Sequence, residues 1–193
     1  MATIYNRFTF ENTFNQNLKY LFMKSLSILL FLFFFSNTVF SQSSSSGIKW
    51  VSLEEAQKLQ QTTPKKIFID IYTDWCGWCK KLDAYTYQDK NVIDYINSNF
   101  YAVKLNAETR DTIFYNGSTY TYNPAYKINM VSEKFMSGSN GYPTVTFVDE
   151  KLNVLSVVPG YLDAKPMLNL LKYFGDGIYL DTNWTNYQKG LSE

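Results

Sequence analysis

The chain has 193 residues, 18 of them basic and 17 acidic, with two cysteines and no histidine. A nearly neutral chain without a basic run offers no footprint for nucleic acid, because neutralising phosphates demands clustered Lys and Arg. The missing histidine removes the commonest general base and metal ligand, so any chemistry has to run on thiols, carboxylates and lysine.

Taken in chain order, the first element is a leader. Met23 is the expected start, with residues 1–22 upstream of it. Lys24 then supplies a positive charge, residues 26–35 (LSILLFLFFF) form an apolar run, and SNTVFSQ follows. Ser41, with Val39 two before it, fits signal-peptide cleavage after Ser41. The competing reading is an uncleaved anchor, which would want roughly 20 apolar residues. The expectation is a secreted or periplasmic protein with no stable membrane span after cleavage. Cleavage leaves 15 basic and 16 acidic residues. Residues 42–47 (QSSSSG) read as a flexible tether.

Ser52 and Glu55 make a capping box before AQKLQQ, which predicts a short helix burying Leu53, Ala56 and Leu59 and ending before Pro64. KKIFIDIY, 65–72, is a strand covered on both faces, interrupted by Asp70. The stretches after it predict helices, with Asp89 as a cap, and 100–107 (FYAVKLNA) is the next strand, so the order implies a parallel crossover. Asn116-Gly117 signals a hairpin. A helix is expected across 127–136, ended by SGSNG. Two antiparallel strands flank the turn 149–153, and a last helix over 163–174 carries Pro166 in its first turn. A short helix near Trp184 falls in the extension 175–193.

Cys76-Gly77-Trp78-Cys79 is the chemically loaded stretch, and several readings compete for it. A structural zinc site wants four ligands, and two cysteines without histidine supply half. Copper(I) could take both thiolates plus the thioether of Met130 or Met136. A structural staple closing only four residues would contribute about 2 kcal/mol before strain. A redox pair gains from its place at the start of a helix, where free N–H groups and the helix dipole stabilise a thiolate. A thiol pKa lowered from about 8.5 to about 7 gives roughly a threefold gain in attack rate, so leaving-group quality and redox poise matter more.

FIDIYTDWCGWCKKLD resembles the active-site segment of the thioredoxin family, with Trp75 before the first cysteine and Lys80 after the second. Asp70 falls where that family keeps a buried carboxylate, Lys104 where it keeps the lysine partner, and Tyr142-Pro143-Thr144 where it has a cis-proline facing the disulfide; Gly160 also fits. The resemblance covers residues 48–174. It implies an α/β fold with a central mixed sheet flanked by helices, and an insertion at about 108–141 before the cis-proline. It also implies catalysis by a reachable Cys76 with Cys79, Asp70 and Lys104. The substrate would be bound by Trp75, Gly77, Trp78, Tyr142 and Pro143. In this reading no metal and no cofactor beyond the Cys76–Cys79 disulfide is needed.

Gly77-Trp78 departs from the Gly-Pro of cytosolic thioredoxins. The leader, the DWC and CK on either side of that dipeptide and the aromatic-rich KKLDAYTYQDKNV resemble the envelope domains of thiol:disulfide interchange proteins, which implies a reductase of protein disulfides fed by a membrane electron donor, with oxidase or isomerase as the competing directions. The alternative is a non-catalytic module on the same fold, a copper(I) carrier or a chaperone-like binder. Tyr115, Tyr120, Tyr122 and Tyr126 of the insertion would form either a substrate-reading ledge or the packed underside of a hairpin.

Overall fold

The computed structural model describes residues 47–191; the leader, the cleavage point and nearly all of the tether lie outside them. The centre is a five-stranded mixed sheet in the order β1-β3-β2-β8-β9. Its strands are β1 (Trp50–Val51), β2 (Lys66–Tyr72), β3 (Phe100–Asn106), β8 (Thr144–Val148) and β9 (Val154–Pro159). β1 and β2 both run parallel to β3, whereas β8 is antiparallel to β2 and to β9. β1 was not anticipated from the sequence, since two residues carry no periodicity.

Side chains alternate across a strand, so β2 feeds two cores. Ile67, Ile69 and Ile71 face one core with Leu53 and Ala56 of α1 (Leu53–Thr62) and Val131 and Phe135 of α4 (Met130–Met136). Phe68 faces the other. There it meets Leu82 of α2 (Gly77–Ala84), Val92 and Ile96 of α3 (Lys90–Asn99), and Met167 and Leu171 of α5 (Ala164–Gly175). Asp70 shares the face of Phe68, which puts it beneath the helices that follow the cysteines.

Local signals act as the sequence suggests at several ends. Ser52 Oγ accepts the Glu55 N–H at 3.0 Å, and Asp89 accepts from Asn91 and Val92. In α1 the buried residue of the last turn is Gln60, not Leu59, which is only half-buried. The Gln60 amide donates to the Lys65 and Asp149 carbonyls and so is satisfied inside.

The insertion forms two small hairpins. β4 (Ile113–Tyr115) pairs with β5 (Ser118–Tyr120) across Asn116 and Gly117, whose φ values of 46° and 76° are those of a hairpin turn. β6 (Tyr122–Asn123) pairs with β7 (Ile128–Asn129). This second hairpin shortens the helix expected at 127–136: Lys127 has φ 58°, and Asn129 caps α4 by accepting the Val131 N–H. Tyr115 belongs to the packed underside, fully buried and donating its hydroxyl to the Leu152 carbonyl at 2.8 Å. Tyr126 is 69% exposed. The tail adds α6 (Trp184–Gly190), whose Trp184 and Tyr187 pack on the Phe68 core.

Candidate active site

β2 ends at Tyr72, and the chain turns through Thr73, whose carbonyl accepts the Cys76 N–H at 3.1 Å. Cys76 is the N-cap of α2, and its sulfur accepts the Cys79 N–H at 3.0 Å. Cys76 and Cys79 are joined by a disulfide with Cα atoms 5.3 Å apart. When that bond is reduced, the same N–H and the positive end of the helix favour a thiolate on Cys76. The two cysteine residues are largely covered, Cys76 at 4% exposure and Cys79 at 2%. Trp75 and Trp78, each immediately before a cysteine in sequence, form a rim beside the disulfide.

That rim is aromatic. Trp75 is 66% exposed and Trp78 57%. Trp75 Nε1 donates to Glu108 at 2.9 Å, and its ring meets Tyr142 edge-on with centroids 5.8 Å apart. Tyr142 precedes Pro143 through a cis peptide. Gly160 holds this loop by donating its N–H to the Pro143 carbonyl at 2.8 Å, and its φ of 97° suits glycine. On the other side Trp78 packs on Tyr161 at 5.4 Å, with the Lys81 ammonium 4.8 Å from each ring. A side chain on Gly77 would meet open space.

A charged cluster ties the two central parallel strands to the helix that starts at the disulfide. The parallel register places Asp70 opposite Lys104, and Lys104 Nζ donates to Asp70 Oδ2 at 3.0 Å. The same ammonium also donates to Asp83, one turn beyond Cys79 on α2. The rings of Trp50, Tyr72 and Tyr87 surround it at 5.1 to 5.3 Å. Burial pushes the Asp70 carboxyl above its ordinary range, and Lys104 offsets only part of the rise. Lys104 itself is held up: burial pulls it down, but Asp70 and Asp83 outweigh that. Asp70 Oδ1 and the Tyr87 hydroxyl are both buried, and they interact without closing a hydrogen bond of ordinary geometry. Burial first, and then the nearby Asp70 charge, keeps that phenol protonated.

Sequence reasoning therefore misses Asp83, Glu108, Lys81 and Tyr161. The signal for Asp83 is its spacing of four from Cys79, which puts it on the same helix face; the others have none. Met130 and Met136, the thioethers considered for copper, both line a cavity that Tyr142 also borders. Among the described residues no group of three or more histidine, cysteine, aspartate and glutamate side chains could hold a metal ion.

The sequence profile of the thioredoxin-like domain matches residues 53–175. The chain belongs to the thioredoxin-like family. Relatives of this thioredoxin-like chain include the thiol:disulfide interchange protein DsbD of Actinobacillus pleuropneumoniae, 30% identical over 169 residues, covering 77% of this chain and 26% of the relative. The protein of that name from Vibrio vulnificus is 28% identical over 135 residues, covering 66% and 20%. The chain thus spans about a quarter or less of the length of these curated relatives. Among solved structures, a putative disulphide-isomerase from Bacteroides thetaiotaomicron matches with a TM-score of 0.50 and 28% identity, covering 68% of this chain and 95% of that one. A thioredoxin from Thermus thermophilus matches in fold at a TM-score of 0.51 and 15% identity, covering 66% and 87%.

Proposed function

We propose that the protein is a thiol-disulfide oxidoreductase that reduces protein disulfides in an extracytoplasmic compartment. The observation that carries this reading is the Cys76 sulfur at the head of α2, accepting the Cys79 N–H. The location follows from the leader at 24–41 and the expected cleavage after Ser41. The direction draws on the likeness to thiol:disulfide interchange proteins.

In the first step the Cys76 thiolate attacks one sulfur of a substrate disulfide. That S–S bond breaks, a mixed disulfide forms, and the displaced sulfur takes a proton from solvent. Cys79 then gives its proton to the Asp70 carboxylate, through water, and attacks the Cys76 sulfur. The second substrate sulfur leaves as a thiolate and takes a proton from solvent, two electrons have passed to the substrate, and the Cys76–Cys79 disulfide is the oxidised product. A dithiol donor of the membrane-bound thiol:disulfide interchange type reverses these steps. Lys104 keeps Asp70 ionised often enough to accept the proton, and the rim of Trp75, Gly77, Trp78, Tyr142 and Pro143 takes the substrate chain.

Insulin reduction with dithiothreitol as electron source tests this. Cys76→Ser should abolish turnover, and Cys79→Ser should accumulate a covalent substrate adduct. Loss in both variants with no adduct would rule out the mechanism. A reduction potential near about −270 mV fits the reductase direction, and one near about −120 mV would reverse it.

A further inference from the structure

We propose that the cavity beside Tyr142 is a side-chain pocket for a Lys or Arg that flanks the substrate's cysteine. This rests on the reductase reading above and adds a substrate class to it. The cavity has a volume of about 580 Å³ and is lined by Tyr126, Ile128, Met130, Glu133, Met136 and Tyr142, with Ser139 and Asn140. All but Tyr142 come from the insertion. Tyr142 belongs both to this wall and to the active-site rim, through its edge contact with Trp75. A chain seated against the disulfide and Tyr142 would therefore meet a residue that also walls the cavity.

The lining matches a long basic side chain part by part. Ile128, Met130 and Met136 offer an apolar floor for a methylene stem. Tyr126 and Tyr142 add two aromatic rings to the lining, a residue type that attracts cations. Glu133 ends the pocket with a carboxylate that makes no salt bridge among the described residues. Glu108, which fixes Trp75, likewise has no cationic partner there. Both carboxylates lie close enough to Tyr142 to hold its phenol protonated, after burial, which is the larger cause. Lys127 and Lys134 belong to the same segment but do not line the cavity. The cavity lining therefore carries one carboxylate, Glu133, and no cationic side chain, while Arg110, Lys127 and Lys134 lie elsewhere in the insertion.

The test uses the pre-reduced mature protein and three disulfide-bridged peptides that differ only in the residue two places from the cysteine, Arg, Leu or Glu. Insulin is the reference substrate. The Arg peptide should exceed the Glu peptide in kcat/KM by about tenfold, mainly through KM, the size expected when an attraction becomes a repulsion at a half-exposed site. Glu133→Gln should bring the Arg-to-Leu ratio within about twofold, and Glu133→Lys should make Glu the preferred peptide. Equal rates for all three peptides, or a preference for Leu, would overturn the pocket while insulin turnover leaves the reductase reading standing. An Arg preference unchanged in both Glu133 variants would overturn it equally. Failure to reduce any peptide or insulin would remove both.

Discussion

Lys104 lies directly across the parallel ladder from Asp70, and its ammonium ties that buried carboxylate to Asp83 on the helix that starts at the disulfide. The pair is a compromise. The Asp70 side chain is 1% exposed, and the single cation beside it does not fully repay the loss of water. Two consequences can be measured, one in stability and one in rate.

Asp70 keeps its proton to higher pH in the fold than in the unfolded chain. Below the ordinary carboxylate range, about 3.9, both states are protonated and the group is neutral to stability. As pH rises from there through the raised native value, stability falls, and above it the loss is complete. Asp70→Asn should therefore raise Tm by a few degrees at pH 8 and by almost nothing at pH 4. The same substitution should slow the second chemical step by about tenfold to a hundredfold, since the proton acceptor is gone. Thermal denaturation at the two pH values and single-turnover kinetics check both halves.

Asp89 accepts two N–H groups at the start of α3, from Asn91 at 2.9 Å and Val92 at 3.2 Å. Asp89→Ala should cost about 1 kcal/mol. In urea denaturation the midpoint should fall with the slope unchanged.

Tyr115 anchors the first hairpin of the insertion through its buried hydroxyl on Leu152 and its ring on Phe135, centroids 4.8 Å apart. Tyr115→Phe keeps the ring but strands a carbonyl, at a cost of about 1–2 kcal/mol. Tyr115→Ala should cost about 3–5 kcal/mol by opening a cavity. Tyr126→Ala, at an exposed position, should leave stability within about 0.5 kcal/mol of the parent. Equilibrium denaturation of the three variants separates the packed tyrosine from the exposed one.

Gly160 combines a φ of 97° with the N–H bond to the Pro143 carbonyl. A Cβ there meets no neighbour, so the backbone conformation alone resists substitution. Gly160→Ala should cost about 1–3 kcal/mol. It should also lower insulin reduction more than it lowers reduction of a small disulfide such as oxidised glutathione, because the loop it holds is the proposed contact for an extended chain.

What the sequence could disclose depended on how local the cause was. Asp70 stands out because a lone carboxylate in an apolar strand is conspicuous, and Lys104 because family resemblance placed it on the neighbouring strand. Asp83 has only its spacing of four from Cys79 to mark it until the fold brings Lys104 to it. Glu108 and Trp75 lie 33 residues apart, and nothing in either stretch announces their bond. The hairpin at Asn116-Gly117 is written in the conformational preferences of two residues. The second hairpin, which shortens α4, has no such dipeptide and depends on Asn129 reaching the Thr109 and Asp111 carbonyls.

Cys76 and Cys79 are 4% and 2% exposed, whereas Trp75 and Trp78 beside them are 66% and 57% exposed. If the chain acts as proposed, two indoles project further into solvent than the cystine they flank. A partner cystine on a protruding loop or an unravelled strand would then fit between them more readily than one lying flush in a rigid surface.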